Sequence, residues 1–94
     1  MIRVIWRERA LEELEDIIDY VGDRDIAAAI RLQARIRACA ERIVYAPRAY
    51  RKGRIEDTRE AVAHPNYILV FRLTDEAVEI VNVIHSRQQY PPRG

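Results

Sequence analysis

The chain reads Tyr-Ile-Leu-Val-Phe-Arg-Leu from Tyr67 to Leu73, Thr-Asp-Glu-Ala over 74–77, and Val-Glu-Ile-Val-Asn-Val-Ile-His-Ser-Arg-Gln-Gln-Tyr-Pro from Val78 to Pro91. Two runs rich in Ile, Val, Phe and Tyr, separated by a short polar segment, predict a β-hairpin. Both runs are too apolar for a strand with one face in water, so we place them at the centre of a sheet. The upstream segments must then cover that sheet.

The composition is that of an ordinary globular domain. The 94 residues are 49% hydrophobic and 33% charged, with 3 Gly and 4 Pro, which predicts a single domain over residues 1–94. The apolar runs are far shorter than the roughly 18 residues that cross a bilayer, and the N-terminus lacks the apolar core of a signal peptide. We therefore expect a cytoplasmic protein that does not contact membranes.

The sequence gives no support for a metal or cofactor site. Cys39 is the only cysteine, so an internal disulfide is impossible, and His64 and His85 lack the spacing of zinc ligands. The glycines are isolated, so a Gly-rich phosphate loop is missing. We predict no metal and no cofactor, and we interpret Cys39, which falls on an apolar helical stripe, as a core residue rather than a nucleophile.

Two helices precede the hairpin. The first starts near Glu8, shows apolar residues at i, i+3 and i+4, and is expected to end with Gly22 as its C′ residue. The second has Asp25 as its N-cap, carries apolar residues at 4, 3, 4 spacing, and is expected to end at Pro47. Because only 22–24 separate them, the two helices should pack as an antiparallel hairpin.

The remaining segments complete an α+β fold. Residues 2–6 form a short apolar run that predicts a first strand, and 46–53 has the composition of a loop. Segments 54–55 and 58–63 are expected to be strands, the second ended by the turn residues 64–66. The order β-α-α-β-β-β predicts a helical hairpin on one face of a small, mostly antiparallel sheet.

A few polar residues on or near the predicted sheet are candidates for function. They are Arg59, Asn82, His85, Arg87 and Tyr90. Cleavage of RNA needs a base for the 2′-hydroxyl proton, positive charge at the phosphate and an acid for the leaving oxygen. Arg59, Arg87 and Tyr90 could supply such a set.

A structural interpretation of the same residues stays open. Arg59 could pair with the carboxylate of Glu60 or Glu79, and His85 could be a hydrogen-bonded residue at a strand end. In that case Tyr90 and the following prolines would only pack the C-terminus against the domain.

Taken together, these residues resemble the RelE/ParE superfamily of bacterial toxins, and the ParE branch more closely. The resemblance covers the chain from Trp6 to the C-terminus. It rests on Thr58-Arg-Glu, on His64-Pro-Asn leading into Tyr67-Ile-Leu-Val-Phe-Arg, and on the ending Ile84-His-Ser-Arg-Gln-Gln-Tyr-Pro. Arg59 matches the arginine of the family's Thr-Arg-Glu motif.

The resemblance implies the toxin of a type II toxin-antitoxin system, neutralised by a ParD-like antitoxin. ParE-like members poison DNA gyrase and block replication, whereas RelE-like members cut messenger RNA on the ribosome, and the shared fold does not separate them. Lys52 is the only lysine, and the Gln-Gln-Tyr-Pro ending is similar to the ParE pattern. We therefore predict gyrase inhibition, with Arg59, His85, Arg87 and Tyr90 as target-binding residues.

The antitoxin surface can also be predicted. An unpaired sheet edge, at the first or last strand, and a groove beside the helical hairpin would accept a partner segment, and Arg31, Arg35 and Arg42 form a line that could meet its carboxylates. The net charge of +1 argues against strong DNA binding by the toxin alone, so operator DNA would be bound only through the antitoxin complex. A member that binds an antitoxin but poisons nothing is the remaining alternative.

Overall fold

A computed structural model describes residues 2–92 as two helices packed on a five-stranded mixed sheet. Along the chain the elements are β1 (Arg3–Trp6), α1 (Glu8–Gly22), α2 (Ile26–Ile43), a 3-10 turn (Pro47–Ala49), β2 (Arg51–Lys52), β3 (Arg59–His64), β4 (Tyr67–Leu73) and β5 (Ala77–His85). The strand order is β1-β5-β4-β3-β2, and only the β1–β5 pair is parallel. The predicted fold is confirmed.

The β4–β5 hairpin lies at the centre of the sheet, as predicted. Its register runs from Leu73 opposite Val78 to Tyr67 opposite His85. The connecting turn is held by the Thr74 hydroxyl, whose oxygen accepts a hydrogen bond from the Ala77 N–H at 3.0 Å. Residues 68–71 of β4 and Ala77, Val78, Ile80, Val83 and Ile84 of β5 are buried. The hairpin is flanked by β1 on one side and β3 on the other, so both of its edges are paired.

The helical hairpin is confirmed, although its ends differ from the prediction. The Asp25 carboxylate caps α2 by accepting the Ala28 N–H at 3.0 Å. Gly22 is the last residue of α1 and does not adopt a left-handed conformation, so it isn't the predicted C′ residue. Helix α2 ends at Ile43, and Pro47 instead starts the 3-10 turn, since proline suits the first turn of a helix.

One predicted strand was wrong. Residues 54–55 lie in a turn, and the short strand β2 is Arg51–Lys52, inside the segment predicted to be a loop. The Arg54 N–H donates to the Glu60 carboxylate at 3.1 Å rather than to a strand partner. The turn closes where the Gly53 N–H donates to the Thr58 carbonyl oxygen at 2.8 Å. A Cβ on Gly53 would overlap the Thr58 hydroxyl, so this close approach requires glycine.

The sheet has two different faces. On the helix side, Leu69, Phe71 and Ile80 join the buried stripes of α1 and α2 in the main core. The opposite side, which we call the open face, carries a smaller apolar cluster under the C-terminal segment. The edge strands are β1 and β2. The first strand is therefore a free edge, as the sequence analysis allowed, whereas the last strand, β5, lies inside the sheet. No helix within residues 2–92 is long and apolar enough to span a membrane.

Candidate functional site

The C-terminal segment returns across the open face, and Tyr90 anchors it there. The Tyr90 ring packs against a cluster formed by Ile68, Val70 and Ile84, all of which are buried. These three side chains come from β4 and β5, whose alternate residues point away from the helices. The open face is therefore a partly covered apolar surface with a tyrosine at its centre.

A hydrogen-bonded network ties Tyr90 to helix α1. The Tyr90 hydroxyl donates to Asn82 Oδ1 at 2.7 Å, and Asn82 Nδ2 donates to Glu13 Oε1 at 3.0 Å. The same Glu13 oxygen accepts the Val83 N–H at 3.0 Å, and Arg9 lies 3.6 Å from the second carboxylate oxygen. Strand β1 pairs with β5 only as far as Ile80. Beyond that point the Glu13 carboxylate accepts the Val83 N–H of β5, which would otherwise lack a strand partner.

Asn82 faces the network because β5 contains an irregularity. Val70 pairs with Asn82 and the next residue, Phe71, pairs with Ile80, so Val81 is an extra residue on β5. Such a bulge re-aims side chains and often lies next to functional sites. Here it lets β5 present both Val81 and Asn82 near the open face while Ile80 and Val83 stay in the main core.

The environment keeps Tyr90 protonated. Burial raises the pKa of the Tyr90 hydroxyl, and the negative charges of Glu13 and Glu60 raise it further, against smaller opposite effects of Arg72 and Arg54. A phenol with a raised pKa is a poor general base near neutral pH. The hydroxyl is also already used as a donor to Asn82, so the geometry suits a docking or packing role.

A buried carboxylate organises the neighbouring basic residues. Glu60 is only 3% exposed, and its oxygens accept from Arg51 Nη2 at 3.1 Å and from the Arg54 backbone N–H at 3.1 Å. Arg54 Nε lies 3.3 Å from Glu60 Oε2. Because Glu60 pairs with Val70 across the sheet, this cluster lies on the open face. It forms a charged border beside the apolar centre.

Arg59 lies on the other side of the sheet. It pairs with Phe71, a main-core residue, and its Nη1 donates to the carbonyl oxygens of Tyr50 at 2.8 Å and Arg48 at 3.3 Å. Neither Glu60 nor Glu79 is its partner, so the alternative that pairs Arg59 with one of these carboxylates is not observed: Glu60 pairs with Arg51 and Arg54, and Glu79 with Arg7. The structure therefore does not bring Arg59 to Tyr90.

His85 and Arg87 lie where the C-terminal segment turns back. His85 Nδ1 accepts the Arg87 N–H at 3.1 Å, and the His85 N–H donates to Gln88 Oε1 at 3.1 Å. The His85 ring contacts Tyr67 edge to face, with centroids 5.4 Å apart. His85 is thus a hydrogen-bonded strand-end residue, whereas the Arg87 side chain is exposed.

The three arginines predicted to bind an antitoxin share one exposed side of α2. Arg31, Arg35 and Arg42 are all exposed, and Arg35 Nε donates to the Ala63 carbonyl oxygen of β3 at 3.0 Å. That bond fixes this side of α2 next to the end of β3. Burial lowers the pKa of the nearby His64 imidazole, and the positive charge of Arg35 lowers it further.

Sequence patterns alone did not single out Glu13 or Arg54. Glu13 lies on the amphipathic helix α1, where a carboxylate is normally solvated, so its contact with β5 had no local signal. Cys39, by contrast, is buried on the core face of α2, and burial raises the pKa of its thiol, which agrees with its interpretation as a core residue. Within residues 2–92, no group of His, Cys, Asp and Glu is arranged to hold a metal ion.

Comparison with known proteins identifies the family. Residues 4–90 match the family model described as the ParE toxin of the type II toxin-antitoxin system parDE. The chain belongs to the ParE toxin family. It is therefore a toxin of the ParE/RelE type from a type II toxin-antitoxin system.

Individual relatives agree with this membership in the ParE family. The chain is 40% identical over 90 residues to Y4kP of Sinorhizobium fredii, covering 95% of this chain and 93% of that protein. It is 33% identical over 88 residues to toxin RelE2 of Caulobacter vibrioides, covering 92% and 97%. A chain from the chromosomal ParDE system of P. aeruginosa has the same fold, with a TM-score of 0.80, 13% identity and coverage of 90% and 96%.

Proposed function

We propose that this ParE-family toxin poisons DNA gyrase by binding it, rather than cutting RNA. The observation that carries the proposal is the separation of the candidate nuclease residues. Arg59 is held on the helix side by two backbone carbonyls, whereas Tyr90 lies on the open face and its hydroxyl donates a hydrogen bond to Asn82 Oδ1. General acid–base chemistry needs its groups within hydrogen-bond reach of one substrate.

The protonation of Tyr90 supports the same conclusion. Its pKa is raised by burial and by Glu13 and Glu60, so a phenolate base is disfavoured near neutral pH. Interfaces, in contrast, favour a tyrosine that is partly buried beside arginines. Tyr90, bordered by Arg54 and Arg72, fits a binding surface for a protein target.

A ParD-like antitoxin would neutralise the toxin. Strand β1 is an edge of the sheet, so its outer backbone groups can pair with an extended partner segment. The exposed line of Arg31, Arg35 and Arg42 offers positive charge to an acidic partner segment. Such surface pairs contribute more to the encounter rate than to affinity.

Two parallel assays test the target. The purified chain is added to a gyrase supercoiling reaction and to translating ribosomes, and supercoiled product and intact messenger RNA are measured. The proposal predicts loss of supercoiling with intact RNA. RNA cut on the ribosome with normal supercoiling would instead assign the chain to the RelE-like mechanism.

Induction in a bacterial host tests whether the chain is a toxin at all. We expect growth arrest when the chain is produced alone and recovery when its antitoxin is produced with it. Continued division at full expression of soluble chain would show a member that binds an antitoxin without poisoning its host.

A further inference from the structure

Arg72 differs from the other basic residues of the open face because its charge is unpaired in the described part of the chain. It follows Val70 by two residues on β4, so its side chain points to the same side of the sheet as the cluster under Tyr90. Its register partner Glu79 lies 4.0 Å from Arg7 instead. An exposed guanidinium beside a half-buried tyrosine is thus free to meet a binding partner.

The neighbouring arginines of the open face are already occupied. Arg51 and Arg54 both form ion pairs with the buried Glu60 carboxylate. Arg72 lies close enough to Tyr90 for its charge to act on the hydroxyl: burial and two carboxylates raise the pKa of Tyr90, and Arg72 partly offsets that rise. Arg72 is therefore the cation that this face leaves for a ligand.

Val62 gives the open face an exposed apolar group. Its side chain is 58% exposed, and β3 places it opposite Ile68 of the small apolar cluster. The Tyr90 ring packs on Ile68 and its buried neighbours, whereas Val62 stays largely in water. Four residues of β4 separate Ile68 from Arg72, which is about 13 Å along the strand. The face thus offers an apolar contact and a cation at a fixed spacing.

The depression beside Arg72 has an excess of positive charge. Three further basic residues and two acidic residues of the turn before β3 line it, namely Arg48, Lys52, Arg59, Glu56 and Asp57. Among residues 2–92, neither of these two carboxylates forms an ion pair with Arg72. The charge around Arg72 therefore favours an anionic partner group.

We propose that the open face binds an acidic segment of the target protein, with a carboxylate of that segment on the Arg72 guanidinium and an apolar side chain on Val62. This inference rests on the proposed function, because it specifies what the same surface recognises. A guanidinium can bind a carboxylate through two parallel hydrogen bonds. Tyr90, between the two contacts, supplies the partly buried ring that is typical of binding hot spots.

A nucleic acid fits this face less well than a protein segment does. Phosphates would suit Arg72, but strong binding to a phosphate backbone needs several free cations, and Glu60 holds both Arg51 and Arg54. A phosphate backbone also has little apolar surface to cover Val62. An acidic protein segment brings the carboxylate and the apolar side chain together.

The affinity of the chain for purified gyrase tests the two contacts. We expect Arg72→Gln to raise the dissociation constant at least about tenfold. Val62→Thr keeps a β-branched side chain and should raise it about threefold, because one methyl group is replaced by a hydroxyl. The matched control is Arg42→Gln, which alters an exposed arginine on α2, across the sheet from the open face, and should leave affinity unchanged. Circular dichroism checks that each variant is folded.

The outcomes separate this inference from the proposed function. If wild-type chain binds gyrase and Arg72→Gln binds equally well, the inference is overturned and gyrase remains the target. If wild-type chain does not bind gyrase, both are overturned. Binding that requires added DNA and falls by about 10³-fold or more between low and moderate salt would identify phosphates as the partner groups and overturn the inference.

The scarcity of lysine allows a direct test of the partner's chemistry. Lys52 is the only lysine, so Lys52→Arg removes every side-chain amine, and adding Arg72→Lys places one at the proposed contact. A carbodiimide joins an amine directly to a touching carboxylate, and mass spectrometry then identifies the joined peptides. We expect an Asp or Glu of gyrase joined to position 72, and no joined peptide in the control that combines Lys52→Arg with Arg42→Lys. A variant that binds gyrase without forming this bond overturns the carboxylate contact.

Discussion

At the scale of single residues, Tyr90 has a structural role that its side-chain contacts define. Its ring covers Ile68, Val70 and Ile84, and its hydroxyl donates to Asn82 at 2.7 Å. The ring contact is apolar and does not need the hydroxyl. A variant that lacks only the hydroxyl should therefore distinguish a packing role of the ring from a proton-transfer role of the hydroxyl.

We expect Tyr90→Phe to lower the free energy of unfolding by about 1 kcal/mol, the usual net contribution of one hydrogen bond, and to leave toxicity largely intact. Chemical denaturation and growth after induction are the measurements. Tyr45→Phe, at an 86% exposed position, is the matched control and should change neither. A loss of toxicity of about 10²-fold or more in Tyr90→Phe would indicate proton transfer and contradict the binding role.

Glu60 should be the most important carboxylate for stability. Its buried side chain is bonded to Arg51 and to both the backbone and the side chain of Arg54. We expect Glu60→Ala to destabilise the protein by about 2 kcal/mol, because several hydrogen bonds to a charged group are lost. Glu56→Ala, at an exposed position in the same turn, should stay within about 0.5 kcal/mol of the wild type. Equal effects of the two substitutions would refute the role of Glu60.

His64 gives the protein a pH dependence with a definite sign. Its Nδ1 accepts the Asn66 N–H at 3.0 Å, and burial together with Arg35 lowers its pKa below the ordinary 6.5. The unfolded chain then binds the proton at a higher pH than the folded one does. The contribution of His64 to stability is therefore present above about pH 6.5 and is lost as the pH falls through the folded pKa.

The variant His64→Asn keeps an acceptor for the Asn66 N–H but does not titrate. Denaturation midpoints measured from pH 7.5 down to pH 5 should fall less steeply for this variant than for the wild type. Parallel pH profiles would mean that other groups cause the acid sensitivity.

At the scale of secondary structure, apolar periodicity predicted most of the fold. The β4–β5 hairpin and both helices follow from spacing alone, because their buried stripes are long and regular. Strand β2 did not, since Arg51–Lys52 is two residues long and polar. Strand β2 is held in place by its pairing with β3 and by the bond from Arg51 to Glu60, two residues that are nine positions apart in the sequence.

The site was less predictable than the fold. Asn82 and Tyr90 lie on or near the sheet, as the sequence predicted. The face on which Arg59 lies depends instead on the register of β3 against β4. A shift by one residue exchanges the two faces of a strand, and the short run 58–63 carries apolar and polar residues on both. The role of Glu13 depends on a contact across 70 residues of chain, which no local pattern encodes.

The junction between α1 and β5 depends on Glu13. We expect Glu13→Gln to cost about 1–2 kcal/mol, since a neutral amide oxygen replaces a charged acceptor for the Val83 N–H and the Asn82 amide. Hydrogen exchange of the Val83 amide is the direct measurement and should become faster. Glu12→Gln, on the exposed neighbouring position, should leave that amide unchanged. Unaltered protection of Val83 in Glu13→Gln would exclude this contact as a stabilising one.

At the scale of the whole molecule, the two sides of the sheet carry different residues. The helix side holds the main core and Arg59, whereas the open face presents Tyr90 with its charged border. Under the proposed function, the target would contact the open face, whereas the antitoxin would contact the free edge of β1 and the arginines of α2.

The central claim is that this ParE-family toxin acts on gyrase, and the superhelicity of a reporter plasmid tests it most directly. Plasmid is extracted from cells before and after induction of the chain, and its topoisomers are separated by electrophoresis. Gyrase poisoning predicts that the plasmid becomes relaxed or linear as growth stops, and that Tyr90→Phe behaves like the wild type. Unchanged negative supercoiling in growth-arrested cells would contradict it.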